Sequence, residues 1–331
     1  MNVICFGEIL LRLSPAAGKR LVQAEQFDVV YGGSEANVAV SLSIFGHDSR
    51  FVTRIPDNAP GRASLGALSR YGVRTDKTIW GGDRLGIYFL EPGAGLRGSQ
   101  VIYDRHGSGM ATLQPGMINW RHVLEGCDWF HWSGITPALS QSAAEATKEA
   151  VLIAREMGIP VSCDLNYREK LWKYGKNPSE IMPELMQLCT VILGDPGSFD
   201  LYSGLKGTSD SDLLSAFAAK FPEVEYIAMT RRAGLTATHN TYQGALWHSG
   251  AVFTSAIYDL PDMTDRIGGG DAFMAGLIHG LDRGSGHLQD TIEFATAAAA
   301  LKHYVTGDFN LSTENEIRGL MHGNTGGKVN R

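Results

Sequence analysis

A chain of 331 residues, 44% hydrophobic and 19% charged, carries ample material for a buried core and is sized for one large α/β unit or two smaller domains. That composition excludes a disordered chain, a coiled coil and a disulfide-stapled miniprotein. Its 29 Lys+Arg against 35 Asp+Glu leave a net charge of −6, without the basic excess of a nucleic-acid or membrane-surface binder.

Cys5, Cys127, Cys163 and Cys189 form no CxxC pair, and three of them sit in apolar stretches, as buried thiols of a reducing compartment do. Residues 1–8 contain no basic segment followed by a long apolar run, and no stretch reaches 18 apolar residues. The expectation is a cytoplasmic protein that binds neither nucleic acid nor membrane.

Residues 9–13 and 27–31 read as one strand pair. Tyr31-Gly32-Gly33-Ser34-Glu35-Ala36-Asn37 follows as a glycine turn opening a helix over 36–45, with Ser34 suited to its cap. Residues 85–91 and 100–105 are β-like runs joined by 92–99, which makes a hairpin. These four strands are expected to form a small sheet standing off the main body as a lid, from insertions at about 9–33 and 84–107. On the second hairpin strand Val101, Tyr103 and Arg105 share a face, and Tyr88 can face them from the first. The loop Gly93-Ala94-Gly95-Leu96-Arg97-Gly98 matches GxGxxG. A β-run follows it where a dinucleotide fingerprint needs a helix, so it is a decoy.

Further on, short strands at 129–133, 161–164, 191–194 and 226–230 start about 30–35 residues apart, the length of a βαβ unit. Helical patterns at 143–157 and 212–221 fall between them. Strand alternating with helix predicts a mainly parallel sheet covered on both faces. Asp164, Asp195 and Thr230 stand at strand carboxyl ends, where such sheets bind ligands.

The run Asp265-Arg266-Ile267-Gly268-Gly269-Gly270-Asp271 leads into an amphipathic helix. Bare N–H groups at a helix start suit a phosphate, and an Asp at that mouth can take a proton from an attacking hydroxyl. A plain glycine turn with Asp as a cap accounts for the run equally well. Beside it, Asp164-Leu165-Asn166-Tyr167-Arg168 puts Asn166 and Arg168 at a strand end. The Tyr and Arg of the lid strand read equally as a solvated face; against that, Arg168 and Arg105 with tyrosine hydroxyls could clamp a small carboxylate. The tail after Met321 is rich in Gly and Asn and is expected to fray. Its Gly326-Gly327-Lys328 is followed by Val329, so it makes no P-loop.

Taken with Gly32-Gly33, the 265–271 run resembles the ribokinase/PfkB family of sugar kinases. The likeness extends from Phe6-Gly7-Glu8 to Asp308 and is strongest to kinases of 2-keto-3-deoxygluconate. Tyr103-x-Arg105, Asp164-x-Asn166-x-Arg168 through Leu171-Trp172, Thr238-x-Asn240 and Leu301-Lys302-His303 through Gly307-Asp308-Phe309-Asn310 carry it. The resemblance implies a single ribokinase-like three-layer α/β/α domain over 1–331 with a β-sheet lid. It implies ATP and Mg²⁺ as phosphoryl donor and metal, a monovalent cation near the 265–271 run, and a homodimer paired through the lids. Asp271 would be the base and Gly268, Gly269 and Gly270 the anion hole. Gly32, Gly33, Asn37, Tyr88, Tyr103, Arg105, Arg168 and Asp308 would hold a sugar acid; Asp195, Thr230, Arg232, Gly268, Gly270 and His303 would border the nucleotide.

Three departures accompany the likeness. The family's Asp-Thr-x-Gly-Ala-Gly-Asp is Asp265-Arg266-Ile267-Gly268-Gly269-Gly270-Asp271 here, its Asn-x-x-Glu falls at Asp195-Pro196-Gly197-Ser198, and its glycine-bearing ATP loop is Arg231-Arg232-Ala233-Gly234. Three functions follow as expectations: a 2-keto-3-deoxygluconate kinase, a kinase of a neutral sugar such as fructose, or a sugar-binding sensor without turnover.

Overall fold

The computed structural model describes residues 1–323; the Gly326-Gly327-Lys328 segment lies outside them. Among the described residues the main sheet has nine strands. Its parallel part runs Tyr226–Gly234, Val191–Gly194, Val161–Asp164, Trp129–Ser133, Asn2–Phe6, Asp48–Val52. Asn240–His248 and Ala251–Thr254 extend it antiparallel at one edge, and Tyr258–Leu260 pairs with the former.

Period-two alternation divides the strands between two cores. Val3, Cys5, Val191 and Leu193 face the helices Ser34–Ile44, Gly269–Leu281 and Leu288–Lys302. Ile4, Phe6, Ile192 and Ile227 face Gln141–Glu156, Pro178–Met186 and Asp210–Lys220. A strand buried on both faces reads as a continuous apolar run, which is why these were recognisable. All four cysteines are buried and free. No helix among the described residues is long and apolar enough to cross a membrane.

The small sheet has the order Asp28–Gly32, Leu10–Ser14, Gly86–Glu91, Gln100–Asp104. Its two outer pairings are antiparallel and the central one is parallel. Tyr88 lies opposite Tyr103 in the register, with their rings 6.3 Å apart. The 93–98 loop closes on reciprocal Ala94–Arg97 backbone bonds of 2.9 Å and no helix follows it.

Two expectations need correction. The strand expected at 226–230 continues to Gly234 and turns back into Asn240–His248. Arg231–Gly234 is thus paired backbone, its polar side chains concealing strand character at an exposed end. The first helix also starts earlier, at Ser34, with Gly33 as its N-cap.

That earlier start buries Glu35 completely beneath the sheet's carboxyl end. Its Oε1 accepts from Ser133 N (3.1 Å) and Ser133 Oγ (2.7 Å), while Oε2 has no partner. Burial raises its pKa from 4.5 to about 7. A carboxyl raised on folding contributes stability below its unfolded pKa and loses it as pH rises through the folded one. Glu35→Gln removes the titration, so its Tm relative to wild type should climb between pH 4.5 and 7. Thermal melts across that window check this; parallel curves would contradict it.

Candidate active site

A cavity of about 1210 Å³ lies over the carboxyl ends of the central strands, between them and the small sheet. At its floor the helix Gly269–Leu281 begins. Gly268 caps it at φ +84°, in the left-handed region, where any Cβ would also collide with the Asp308 carbonyl. The first intrahelical bond runs from Ala272 N–H to Gly268 O (2.9 Å). The N–H groups of Gly269, Gly270 and Asp271 therefore precede the helical ladder and add to the positive end of the helix dipole.

Asp271 is held by two donors. Ser34 Oγ donates to Oδ1 (2.8 Å) and Asn37 Nδ2 to Oδ2 (2.6 Å). Ser34 in turn accepts from Asn166 Nδ2 (2.8 Å). Asn166 sits at φ +38°, a conformation Asn tolerates better than most residues, and its N–H donates to Asp164 Oδ1 (3.1 Å). Burial raises Asp271 above the usual carboxylate range, against the lowering effect of the Asn37 and Ser34 bonds. Asp164 is pushed to about 8, first by burial and then by the nearby Asp271 charge. Two buried carboxyls this close cannot both ionise cheaply.

Across the cavity, Arg12 of the small sheet reaches the turn. Its guanidinium pairs with Asp265 (2.7 Å) and Asp308 (2.8 Å), and all three are buried. Tyr88 Oη donates to Asp308 Oδ2 (2.6 Å). Asp265 also accepts from Ile267 N and Gly307 N (both 3.1 Å), which joins the approach to the glycine turn with the loop before Asp308.

Of the residues expected from sequence, Gly33, Asn37, Tyr88, Tyr103, Arg105, Arg168, Asp308, Asp195, Thr230, Arg232 and Gly268–Asp271 all line this cavity. Gly32 does not. It makes room for the Asp308 carboxylate, which a Cβ there would strike. His303 does not line it either: it is buried behind Gly269, its Nδ1–H donating to Ala299 O (2.6 Å). Burial lowers its pKa to about 4, so it is neutral.

The expected pair of free arginines is also altered. Arg105 is buried against Glu8, bonded through Nε (2.7 Å) and Nη2, and Glu8 also accepts from Ser108 Oγ. Arg168, Arg232 and Arg266 line the cavity with no ion pair among the described residues. Arg266 was passed over because it stands inside the glycine motif. Glu8 and Arg12 were missed although strand alternation puts Arg12 on the same inward face as Leu10 and Ser14. Asp195 is occupied in part as a helix cap: it accepts from Ser198 N (2.9 Å) and its N–H donates to Ser198 Oγ (2.9 Å).

A helix mouth of free N–H groups beside an oriented carboxylate, at the carboxyl end of an α/β sheet, suits phosphoryl transfer. Comparison with known proteins agrees. The model of the pfkB family carbohydrate kinases matches residues 1–314, and the chain belongs to that family. It is similar to the crystal structure of 2-dehydro-3-deoxygluconokinase from Thermotoga maritima, with 38% identity, TM-score 0.93, and 97% of this chain and 99% of that one covered. A 2-dehydro-3-deoxygalactonokinase of Haloferax volcanii is 31% identical over 328 residues, covering 98% of each chain. A 5-dehydro-2-deoxygluconokinase of Shouchella clausii is 26% identical over 97% of this chain and 95% of its own.

If Asp271 is the proton acceptor, Asp271→Asn keeps the Ser34 and Asn37 neighbours but cannot take a proton. Turnover should fall about 10²–10⁴-fold with substrate binding retained, measured as ADP release beside calorimetric titration of the sugar. A variant with wild-type kcat would exclude the role.

Proposed function

We propose that the protein transfers the γ-phosphoryl group of ATP to the primary hydroxyl of a keto-deoxy sugar acid, with 2-keto-3-deoxygluconate the best candidate. The carrying observation is Arg168, a guanidinium without an ion-pair partner among the described residues, in the same cavity as Asp271. A sugar carboxylate would pair with that charge directly, whereas a neutral hexose would leave it only the more distant Asp164 and Asp271 carboxyls. The names borne by three similar proteins, each a kinase of a keto-deoxy sugar acid, support the same substrate class.

In this reading the sugar lies between the small sheet and the glycine turn, with Tyr88 and Tyr103 against one side. Asp271 accepts the hydroxyl proton as that oxygen bonds to the γ-phosphorus and the bond to the β–γ bridging oxygen breaks, releasing ADP. The N–H groups of Gly269, Gly270 and Asp271 meet the charge growing on the transferring group. Arg232 and Arg266 face the polyphosphate from the nucleotide side, and Thr230 borders it.

Mg²⁺ is compatible with these residues. Among the described residues no three His, Cys, Asp or Glu side chains form a metal cage. Mg²⁺ typically keeps its waters and binds through one or two carboxylates plus substrate phosphates. Asp195 and Asp164, on adjacent strand ends of the cavity, would hold it; the ion would neutralise phosphate charge. A monovalent cation is left out of the proposal because the Lys302 side chain occupies the space behind Gly268. Lid closure by the small sheet and a homodimer through that sheet belong to the reading. Val29 and Ile102, exposed on it, would lie in the contact.

A neutral-sugar kinase is the competing assignment, and Arg168→Ala separates the two. Loss of a charge-assisted contact should cost about 1.5–3 kcal/mol, roughly ten- to a hundredfold in kcat/KM, for the sugar acid, with little effect on fructose. Arg105→Ala is less informative, since it would strand Glu8 without its buried partner. ADP release with 2-keto-3-deoxygluconate, fructose and ribose is the assay. Equal losses on acid and ketose would refute the carboxylate contact, and wild-type silence on all three with sugar still bound would favour a sensor.

A further inference from the structure

Lys302 ends the helix Leu288–Lys302 and is completely buried. Its ammonium donates to Val305 O (2.9 Å), its one hydrogen bond among the described residues. The side chain passes directly behind the glycine turn: Cε lies 3.2 Å from where a Cβ of Gly268 would stand. On one side is the approach to the turn, with Thr264 N and Asp265 N both donating to His303 O (2.9 and 3.1 Å). On the other is the loop through Gly307, at φ +92°, to Asp308, whose carbonyl abuts Gly268. Burial disfavours the charge on Lys302, while Asp265 and Asp308 favour it.

A lysine sealed from water with a single carbonyl partner is a poor way to stabilise a fold, because an apolar side chain of that length would avoid the desolvation. Its placement has another use. With Arg12, it gives two cations to match Asp265 and Asp308, so the cluster behind the turn is neutral and does not oppose an anion in front of it. We propose that Lys302 is a positioning residue for phosphoryl transfer, a built-in cation that holds the 265–268 and 305–308 segments together so that the N–H groups of Gly269, Gly270 and Asp271 stay aimed at the transferring phosphate. The inference rests on the kinase reading above and adds to it a residue that does not line the cavity.

The test is Lys302→Met, which keeps length and removes charge, in the full-length enzyme with ATP, Mg²⁺ and 2-keto-3-deoxygluconate. The expected result is a fall in kcat of about tenfold or more, with KM for both substrates within about twofold. Its Tm should be at or above that of wild type, since a buried charge has been removed. Lys302→Ala, which leaves an ammonium-sized space, should regain turnover with added ammonium but not with tetramethylammonium, and wild type should respond to neither. Wild-type kcat in Lys302→Met would overturn the proposal. So would a parallel loss of kcat and Tm in Lys302→Met with no ammonium rescue of Lys302→Ala, which would mark a merely structural lysine. A wild-type enzyme that phosphorylates no sugar would overturn the kinase reading itself, and this inference with it.

Discussion

The bridge from Arg12 to Asp265 and Asp308 is the contact on which the rest of the site depends. Arg12 belongs to the small sheet, Asp265 leads into the glycine turn, and Asp308 closes the loop behind it. One planar guanidinium thereby joins the start of the chain to two segments some 250 and 300 residues further on. Arginine suits the task because its fork can serve two carboxylates at once and remains charged when buried. Removing Arg12 would take the guanidinium from two buried carboxylates at once, far costlier than never having had the bridge. The small sheet is thus anchored at one corner to the glycine-turn end of the cavity, and its Tyr88 shares the same Asp308.

Charge is distributed along the cavity in a consistent order. Carboxyls lie deepest: Asp271, Asp164 and Asp308 are buried and each is raised above its ordinary pKa. Arginines 168, 232 and 266 stand around them, available to anionic ligands. A polyphosphate and a sugar carboxylate would bring the negative charge that these arginines lack. A protein of net charge −6 can therefore receive anionic substrates through local placement, without a basic surface. The hydrogen bonds from Ser34 and Asn37 decide how Asp271 is aimed, and Asn166 orders Ser34 from the neighbouring strand end.

Much of this is legible in the amino-acid sequence. The parallel strands announced themselves as apolar runs at βαβ spacing, and their polar carboxyl ends marked the cavity. The glycine run beside Asp271 identified a helix mouth, and the resemblance then supplied roles that periodicity could not. What escaped were features made by long-range contact. Arg105 looked like a free ligand because Glu8, 97 residues away, gives no local sign of pairing with it. Lys302 and His303 sat inside a recognised segment, yet only three-dimensional packing reveals one behind Gly268 and the other behind Gly269. Gly32 carried a family role but is explained by clearance for Asp308. The strand past Thr230 was hidden by its arginines, since an exposed strand end can be polar on both faces.

The central claim is that an Asp271-centred site attaches phosphate to the primary hydroxyl of a sugar acid. Phosphorus–proton correlation spectroscopy of the product formed from ATP, Mg²⁺ and 2-keto-3-deoxygluconate tests it most directly. The account predicts one new phosphomonoester resonance coupled to the terminal CH₂ protons of the sugar acid. Coupling to any other carbon's protons, or inorganic phosphate beside ADP with no phosphomonoester, would contradict it.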